Sequence, residues 1–272
     1  MKRIPVGAVE VPAIGLGTYK LTGHAAIDIM LEAFQIGYRL IDTAQLYMNE
    51  KEVGEAMSQS GISRNDFRLI TKVWPTNFSK NQFIPSVKES LKKLKTDYVD
   101  LLLIHWPHPH LEVHQYIEYL AEAKEKGLAK EIGVSNYNIE QLNSALQLKI
   151  PIAVNEIEYH PWIDQHIVHH HMKLIDLPII AYTPLGRGLT TIDSTIAVIA
   201  RHHQKQPAQI VLRWMMQQDD IIAIPKASSA EHLLQNISVF EFNLTDEEMQ
   251  TINQLSGHDR RIVGAMPGAK WD

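Results

Sequence analysis

Asp42, Tyr47, Lys72 and His105 are side chains that together could move a proton to or from a carbonyl oxygen. A free tyrosine ionises near pH ~10 and is a poor proton shuttle at neutrality. An adjacent ammonium stabilises the phenolate and lowers that value, and Lys72 would supply the charge. Asp42 would pair with Lys72, keeping it protonated and fixed although desolvated, and His105 would hold the carbonyl oxygen by a hydrogen bond. Each residue alone has a blander role: the Asp as a helix cap, the Lys as a surface charge, the His as a packed core residue. Convergence on one site is what would make them chemical.

Three of the four stand at the ends of short apolar runs. Eight such runs occur: AIGLG (13–17), YRLID (38–42), FRLITKV (67–73), YVDLLLIH (98–105), AKEIGVS (129–135), IAVNEIE (152–158), PIIAYTP (178–184) and IIAIPK (221–226). Between them lie stretches such as AAIDIMLEAFQIG and NQFIPSVKESLKKL, whose apolar residues recur every three and four positions, as in amphipathic helices. Strands without in/out alternation, each followed by a helix, predict parallel pairing with both sheet faces covered. Eight units of about 34 residues suit an α/β fold of the (β/α)8 TIM barrel type. The competing open doubly wound sheet, if it bound a dinucleotide, would normally carry a G-x-G-x-x-G turn after its first strand, and GLG at 15–17 lacks the third glycine. RIPVGAVEVPAI reads as an N-terminal β-hairpin turning near Gly7 and closing the barrel bottom. Residues 246–255 read as an extra C-terminal helix capped by Thr245 or Asp246.

A barrel places chemistry where strands end. The polar residues there are Asp42, Lys72, His105, Ser135, Asn136, Glu156, Tyr182 and Lys226, and Tyr47, five residues beyond Asp42, could fold back over the same mouth.

Composition narrows the classes further. The 272 residues carry 31 acidic and 26 basic side chains, a formal net charge of -5, and 45% are hydrophobic, so neither a disordered chain nor a phosphate-tracking nucleic-acid binder is expected. No cysteine is present, which excludes disulfides, thiolate metal sites and thiol nucleophiles. No apolar run is long enough to span a membrane, and the opening segment does not read as a signal peptide, so a cytoplasmic protein is expected.

The chain resembles the aldo-keto reductase superfamily over essentially its whole length. The match is carried by GLGTYK (15–20), GYRLIDTAQLYMNEKEVGEAM (37–57), LITKVW (69–74), YVDLLLIHWP (98–107), GLAKEIGVSNYNIEQL (127–142), VNEIEYHP (154–161) and IPKASSAEHLLQN (224–236). Within the family it is most similar to the small bacterial 2,5-diketo-gluconate and methylglyoxal reductases. The resemblance implies one barrel domain over 1–272 and NADPH-dependent reduction of aldehydes and ketones. It makes Asp42, Tyr47, Lys72 and His105 a catalytic tetrad, with Tyr47 the general acid. It assigns the nicotinamide to Ser135, Asn136, Glu156 and Tyr182, and the rest of the cofactor to Thr18, Leu185, Lys226, Ser228, His232, Gln235 and Asn236. Tyr19, Trp74, His105 and Trp106 would line the substrate pocket, and a monomer is the family default.

Three positions depart from the family pattern. Its Gln is Glu156 here, which as a carboxylate can accept a hydrogen bond but not donate one. In the loop that clasps the 2'-phosphate, Lys226 is kept, but the following Ser is Ala227 and the Arg six positions on is His232. A histidine is a weaker, pH-dependent phosphate partner than a bidentate Arg, so NADPH preference should be softened, with some NADH use. The aromatic walls suit small carbonyls. Arg187 lies in a loop that in relatives closes over cofactor or substrate. Only a short tail from roughly residue 257 is left to cover the mouth, so an open pocket is expected. Fourteen histidines, including HIVHHH (166–171), invite a metal, but HExxH and cysteine are absent and none is expected. Two other readings compete: a Schiff-base aldolase using Lys72, and a cofactor-binding regulatory module on the same scaffold.

Overall fold

The computed structural model describes residues 2–264, 266 and 270–272. The hairpin forms first: β1 (Arg3–Val6) pairs antiparallel with β2 (Val9–Pro12) through a turn in which Gly7 has φ 58°. A side chain at Gly7 would strike the Glu131 carboxylate, which accepts the Ala8 amide at 3.0 Å. Glu131 sits near the amino end of its strand, so the hairpin packs against the barrel bottom, as its sequence implies.

Eight parallel strands follow in sequential order: β3 (Leu16–Gly17), β4 (Leu40–Asp42), β5 (Arg68–Val73), β6 (Val99–Ile104), β7 (Ala129–Ser135), β8 (Ile152–Glu158), β9 (Ile179–Tyr182) and β10 (Ile221–Ala223). The sheet closes where Ile14, just before β3, bridges Ala223 in β10, with Gly15 N–Ala223 O at 2.9 Å and Ala223 N–Ala13 O at 2.8 Å. The result is a (β/α)8 barrel, and every residue of β6 and β8 is buried because helices cover one face and the barrel interior the other.

Helices pack on the barrel through their apolar stripes. α1 (Gly23–Ile36) buries Ala26, Ile29, Met30, Ala33 and Phe34, a three-and-four spacing that puts them on one face. It ends at Gly37, whose φ of 120° only glycine adopts readily. α2 (Glu50–Gln59) and α3 (Phe83–Leu94) approach so closely that a side chain at Gly54 would lie 2.4 Å from the Lys93 carbonyl oxygen. α4 (Ile117–Glu125), α5 (Ile139–Gln147) and α6 (His166–Leu174) continue the ring. α7 (Leu189–Ile192), α8 (Ser194–His203), α9 (Pro207–Met216) and α10 (Ala230–Ile237) complete it. The extra helix α11 (Asp246–Asn253) has Thr245 as its cap, in a reciprocal box with Glu248, and a 3-10 stretch extends it over Gln254–His258.

The segment beyond α11 reaches the barrel mouth. Glu158, at the end of β8, accepts the amides of Ile262 at 2.6 Å and Val263 at 2.9 Å. Trp271 meets Trp106 edge-on, and the Arg261 guanidinium lies 3.8 Å from the Trp271 ring centre. The short tail is therefore fastened at the mouth and covers part of it; residues 265 and 267–269 of that tail lie outside the described ones.

Candidate active site

The side chains singled out for proton transfer meet at the carboxyl end of the barrel. Asp42 ends β4, and Lys72, the penultimate residue of β5, is two positions beyond Ile70, the strand partner of Asp42. The buried Lys72 ammonium donates to Asp42 Oδ1 and, at 3.1 Å, to the Thr43 carbonyl, and it lies 3.2 Å from Glu156 Oε1. Its three donors thus face three acceptors.

Tyr47 closes a single 3-10 turn, Gln45–Tyr47. That turn is tied down by Gln45 Oε1, which accepts from Trp74 N and Asn77 Nδ2, each at 2.9 Å. Buried Asn49 holds the other side by donating to the Thr18 and Leu21 carbonyls at 2.7 and 2.9 Å. The half-buried Tyr47 ring is 5.2 Å from the Lys72 ammonium and stands edge-on to His105, with centroids 5.5 Å apart. Trp74 packs on the same imidazole at 5.2 Å and Tyr19 on Tyr47 at 5.0 Å.

Burial governs ionisation here. It pushes the Tyr47 phenol above its ordinary range; Lys72 opposes this, and Asp42 and Glu156 add to it. The lysine acts in the direction read from the sequence but does not prevail. Burial alone would lower Lys72, yet Asp42, Glu156 and Tyr47 outweigh it and the ammonium is held charged. Burial, then Lys72, push His105 well down, so the imidazole is neutral and has one N–H to give. Burial, reinforced by Asp42, pushes the Glu156 carboxyl up to about 8.

A cavity of about 440 Å³ opens beside the cluster, with Tyr47, His105, Trp106 and Tyr19 among its walls. Ser135, Asn136, Glu156, Tyr182 and Leu185 form another part of the lining. Asn136 spends both amide hydrogens internally, on the His105 carbonyl and Ser135 Oγ, each at 3.0 Å, and its Oδ1 accepts from the Tyr182 hydroxyl at 2.7 Å. Lys20, Arg187 and Lys226 bring positive charge to the wall. Asn136, Thr183 and Arg187 on the lining have φ of 62°, 52° and 45°, backbone strain of the kind that collects at ligand sites.

Several residues named from the sequence sit elsewhere. Thr18 is fully buried, its hydroxyl on the Asp42 carbonyl at 2.8 Å, so it anchors Asp42 from outside the lining. Trp74 stands behind His105. Ser228 precedes α10, His232 is exposed on its first turn, and Gln235 bonds Glu231 on the same helix, while Asn236 is buried. Conversely, Lys20, Leu46, Thr183, Pro184, Ile224, Pro225 and Val263 line the cavity without having been singled out. Lys20, Leu46, Ile224 and Pro225 lie inside the quoted motifs and Thr183 and Pro184 inside an apolar run, but nothing in sequence spacing marks Val263. In the histidine-rich stretch His166 bonds Asp164, His169 bonds Asp220 and His171 bonds Asn143. Among the described residues His202, His203 and Glu248 form a compact group, in which Glu248 accepts from both imidazoles and the Thr245 amide.

A closed (β/α)8 barrel whose carboxyl face carries a buried lysine, two carboxyl groups, a phenol and a neutral imidazole around a cavity defines an enzyme of the acid–base kind. Sequence comparison places it more narrowly: the sequence model of the Aldo/keto reductase family matches residues 13–256, and the chain belongs to that family. The chain is 39% identical to the methylglyoxal reductase DkgB of Salmonella typhimurium over 268 residues, covering 97% of this chain and 100% of that one. Its counterpart in Escherichia coli O157:H7 is 40% identical over the same shares. A crystal structure provisionally assigned as a 2,5-diketo-D-gluconic acid reductase B superposes with a TM-score of 0.93 at 41% identity, covering 96% of this chain and 94% of that one. The aldose reductase of Schistosoma japonicum gives 0.88 at 31%, covering 93% and 91%. The protein is accordingly an oxidoreductase of a family that works with nicotinamide cofactors. Among the described residues no helix is long and apolar enough to cross a membrane.

Proposed function

We propose that this protein reduces small aldehydes and ketones to alcohols with NADPH, Tyr47 supplying the proton, and that methylglyoxal and 2,5-diketo-gluconate are its leading substrate candidates. The observation that carries this reading is the Asp42–Lys72 pair buried beneath Tyr47 and His105 at the edge of the cavity.

The lining fits a dinucleotide. Asn136 Oδ1, Ser135 Oγ and Glu156 offer a polar edge for a carboxamide, Tyr182 an aromatic face for the ring, and Lys20, Arg187 and Lys226 charge for phosphates. When bound, the cofactor supplies a hydride to the carbonyl carbon. The residues of this chain do the rest. Neutral His105 donates its N–H toward the carbonyl oxygen and orients it. Tyr47, held protonated by burial, gives its proton to that oxygen, and Lys72 stabilises the phenolate left behind. Asp42 keeps the ammonium charged and aimed. Tyr19 and Trp106 exclude water from the reacting carbonyl. His232 and Lys226 would share the 2'-phosphate, with His232 the weaker partner.

The aldolase reading needs a neutral lysine, and Lys72 faces two carboxyl groups that favour its charged form. Following NADPH absorbance with methylglyoxal, an aromatic aldehyde and 2,5-diketo-gluconate tests the reading. Turnover of at least one of them is expected, and none with any would reject it.

A further inference from the structure

The buried cluster contains one carboxyl group too many. Lys72 is fully enclosed, Asp42 is 2% exposed and Glu156 1%, so a single positive charge faces two acids away from water. One lysine can neutralise one carboxylate; a second ionised carboxylate in the same enclosure would be an uncompensated buried charge, among the costliest arrangements in a protein. Glu156 Oε1 uses Lys72, but Glu156 Oε2 has no hydrogen-bond partner. An ionised carboxylate with one oxygen left without a donor costs more to bury than a neutral carboxyl in the same place, so the enclosure favours a bound proton. Burial raises both carboxyls, and the proton belongs on Glu156 because Asp42 accepts a hydrogen bond from the ammonium while Glu156 stands only at ion-pair distance.

We propose that Glu156 is a positioning residue for the acid: it stores the site's spare proton beside Lys72, and by releasing it under alkaline conditions it holds Tyr47 in the protonated form. This rests on the reading of Tyr47 as the proton donor. While Glu156 is neutral, Tyr47 faces an Asp42–Lys72 pair of zero net charge. Once Glu156 ionises, near pH about 8, the cluster gains a negative charge, which opposes formation of a phenolate nearby. The two groups titrate as a linked pair, the first ionisation delaying the second. Glutamine at this position keeps the contact with Lys72 but removes the proton store.

Other groups facing Glu156 do not substitute for it. Just past β6, His105 is held neutral, and from β9 the Tyr182 hydroxyl is committed to Asn136. Within β8 itself, Glu158 is engaged by His160 and by the Ile262 and Val263 amides. Arg261, on the tail, lies over Trp271. Among the described residues Lys72 is the one cation within ion-pair distance of Glu156.

The test is the pH dependence of kcat for reduction between about pH 6 and pH 12, a range that reaches above the ordinary ionisation of a tyrosine, in wild type, Glu156→Gln and Glu156→Asp. The alkaline limb should move down by about one pH unit or more in Glu156→Gln and stay near wild type in Glu156→Asp. A Glu156→Gln profile that coincides with wild type, or extends to higher pH, overturns the proposal. A readout without turnover is the ultraviolet absorbance of phenolate, taken as the difference between each protein and its Tyr47→Phe counterpart. Tyr47 should ionise at lower pH when residue 156 is Gln, and unchanged ionisation overturns the proposal. Absence of carbonyl reduction in every protein would count against the proposed activity, and the absorbance titration would still decide the role of Glu156.

Discussion

Trp271 meets Trp106 edge to face with ring centroids 5.9 Å apart, so a residue near the end of the sequence shapes the wall that follows β6. Three contacts fasten the segment that carries it: Glu158 to the amides of Ile262 and Val263, Arg261 over the indole, and Asp272 Oδ2 accepting the Ile139 amide at the start of α5. Trp271→Ala removes one face of the Trp106 packing and leaves the Lys72 cluster untouched. KM for small carbonyls should rise several-fold with kcat within about twofold, the signature of lost ground-state binding. Steady-state kinetics over a substrate series checks this; a selective loss of kcat would place the tail in the chemistry.

Stability should depend on pH through Glu156. Its carboxyl is raised to about 8 in the folded protein from an ordinary 4.5, so folding takes up a proton between those values. The contribution is fully present below about pH 4.5, declines as pH rises and is lost above about pH 8. Glu156→Gln has no such dependence. Urea midpoints at about pH 5 and about pH 8 should therefore differ less in the variant than in wild type, and equal differences in both proteins would contradict the assignment.

How far the sequence could be read depended on how local each signal was. All eight strands were legible because each is a short apolar run, and Asp42, Lys72 and His105 stood out as polar residues at or next to strand ends. Thr245 as the cap of α11 is half legible, since Asp246 is an equal candidate by type and only the Glu248 amide donating to the Thr245 hydroxyl separates them. The second carboxyl contact of Lys72 was not legible: residues 72 and 156 meet across the barrel, and spacing along the chain carries no trace of that distance. Trp271 and Val263 were missed for the same reason. Thr18 lies in a motif matching the family, yet its side chain faces the backbone of Asp42.

Cofactor selectivity should depend on the residue at position 232. His232 is exposed on the first turn of α10, and an arginine there would offer a 2'-phosphate a bidentate, permanently charged partner. His232→Arg should raise the ratio of kcat/KM for NADPH over NADH several-fold. An unchanged ratio in the variant would remove residue 232 from the phosphate site.

Asp193 should matter for stability. Its carboxylate accepts the Thr195 and Ile196 amides at the start of α8 and the Trp162 indole N–H at 2.7 Å. Trp162 in turn packs under the loop at Gly186, where an added side chain would touch the ring at 2.9 Å. Asp193→Ala loses a cap and leaves a buried indole donor unpaired, a cost of about 2–3 kcal/mol. Thermal or urea unfolding checks the magnitude, and a change below about 0.5 kcal/mol would contradict it.

The account stands most directly on Tyr47 as the acid for carbonyl reduction. The decisive measurement is the rate of NADPH oxidation by methylglyoxal in wild type and Tyr47→Phe, with cofactor binding followed separately by tryptophan fluorescence. The expected result is unchanged binding and a rate lowered by at least about a hundredfold. Equal rates in the two proteins would contradict it.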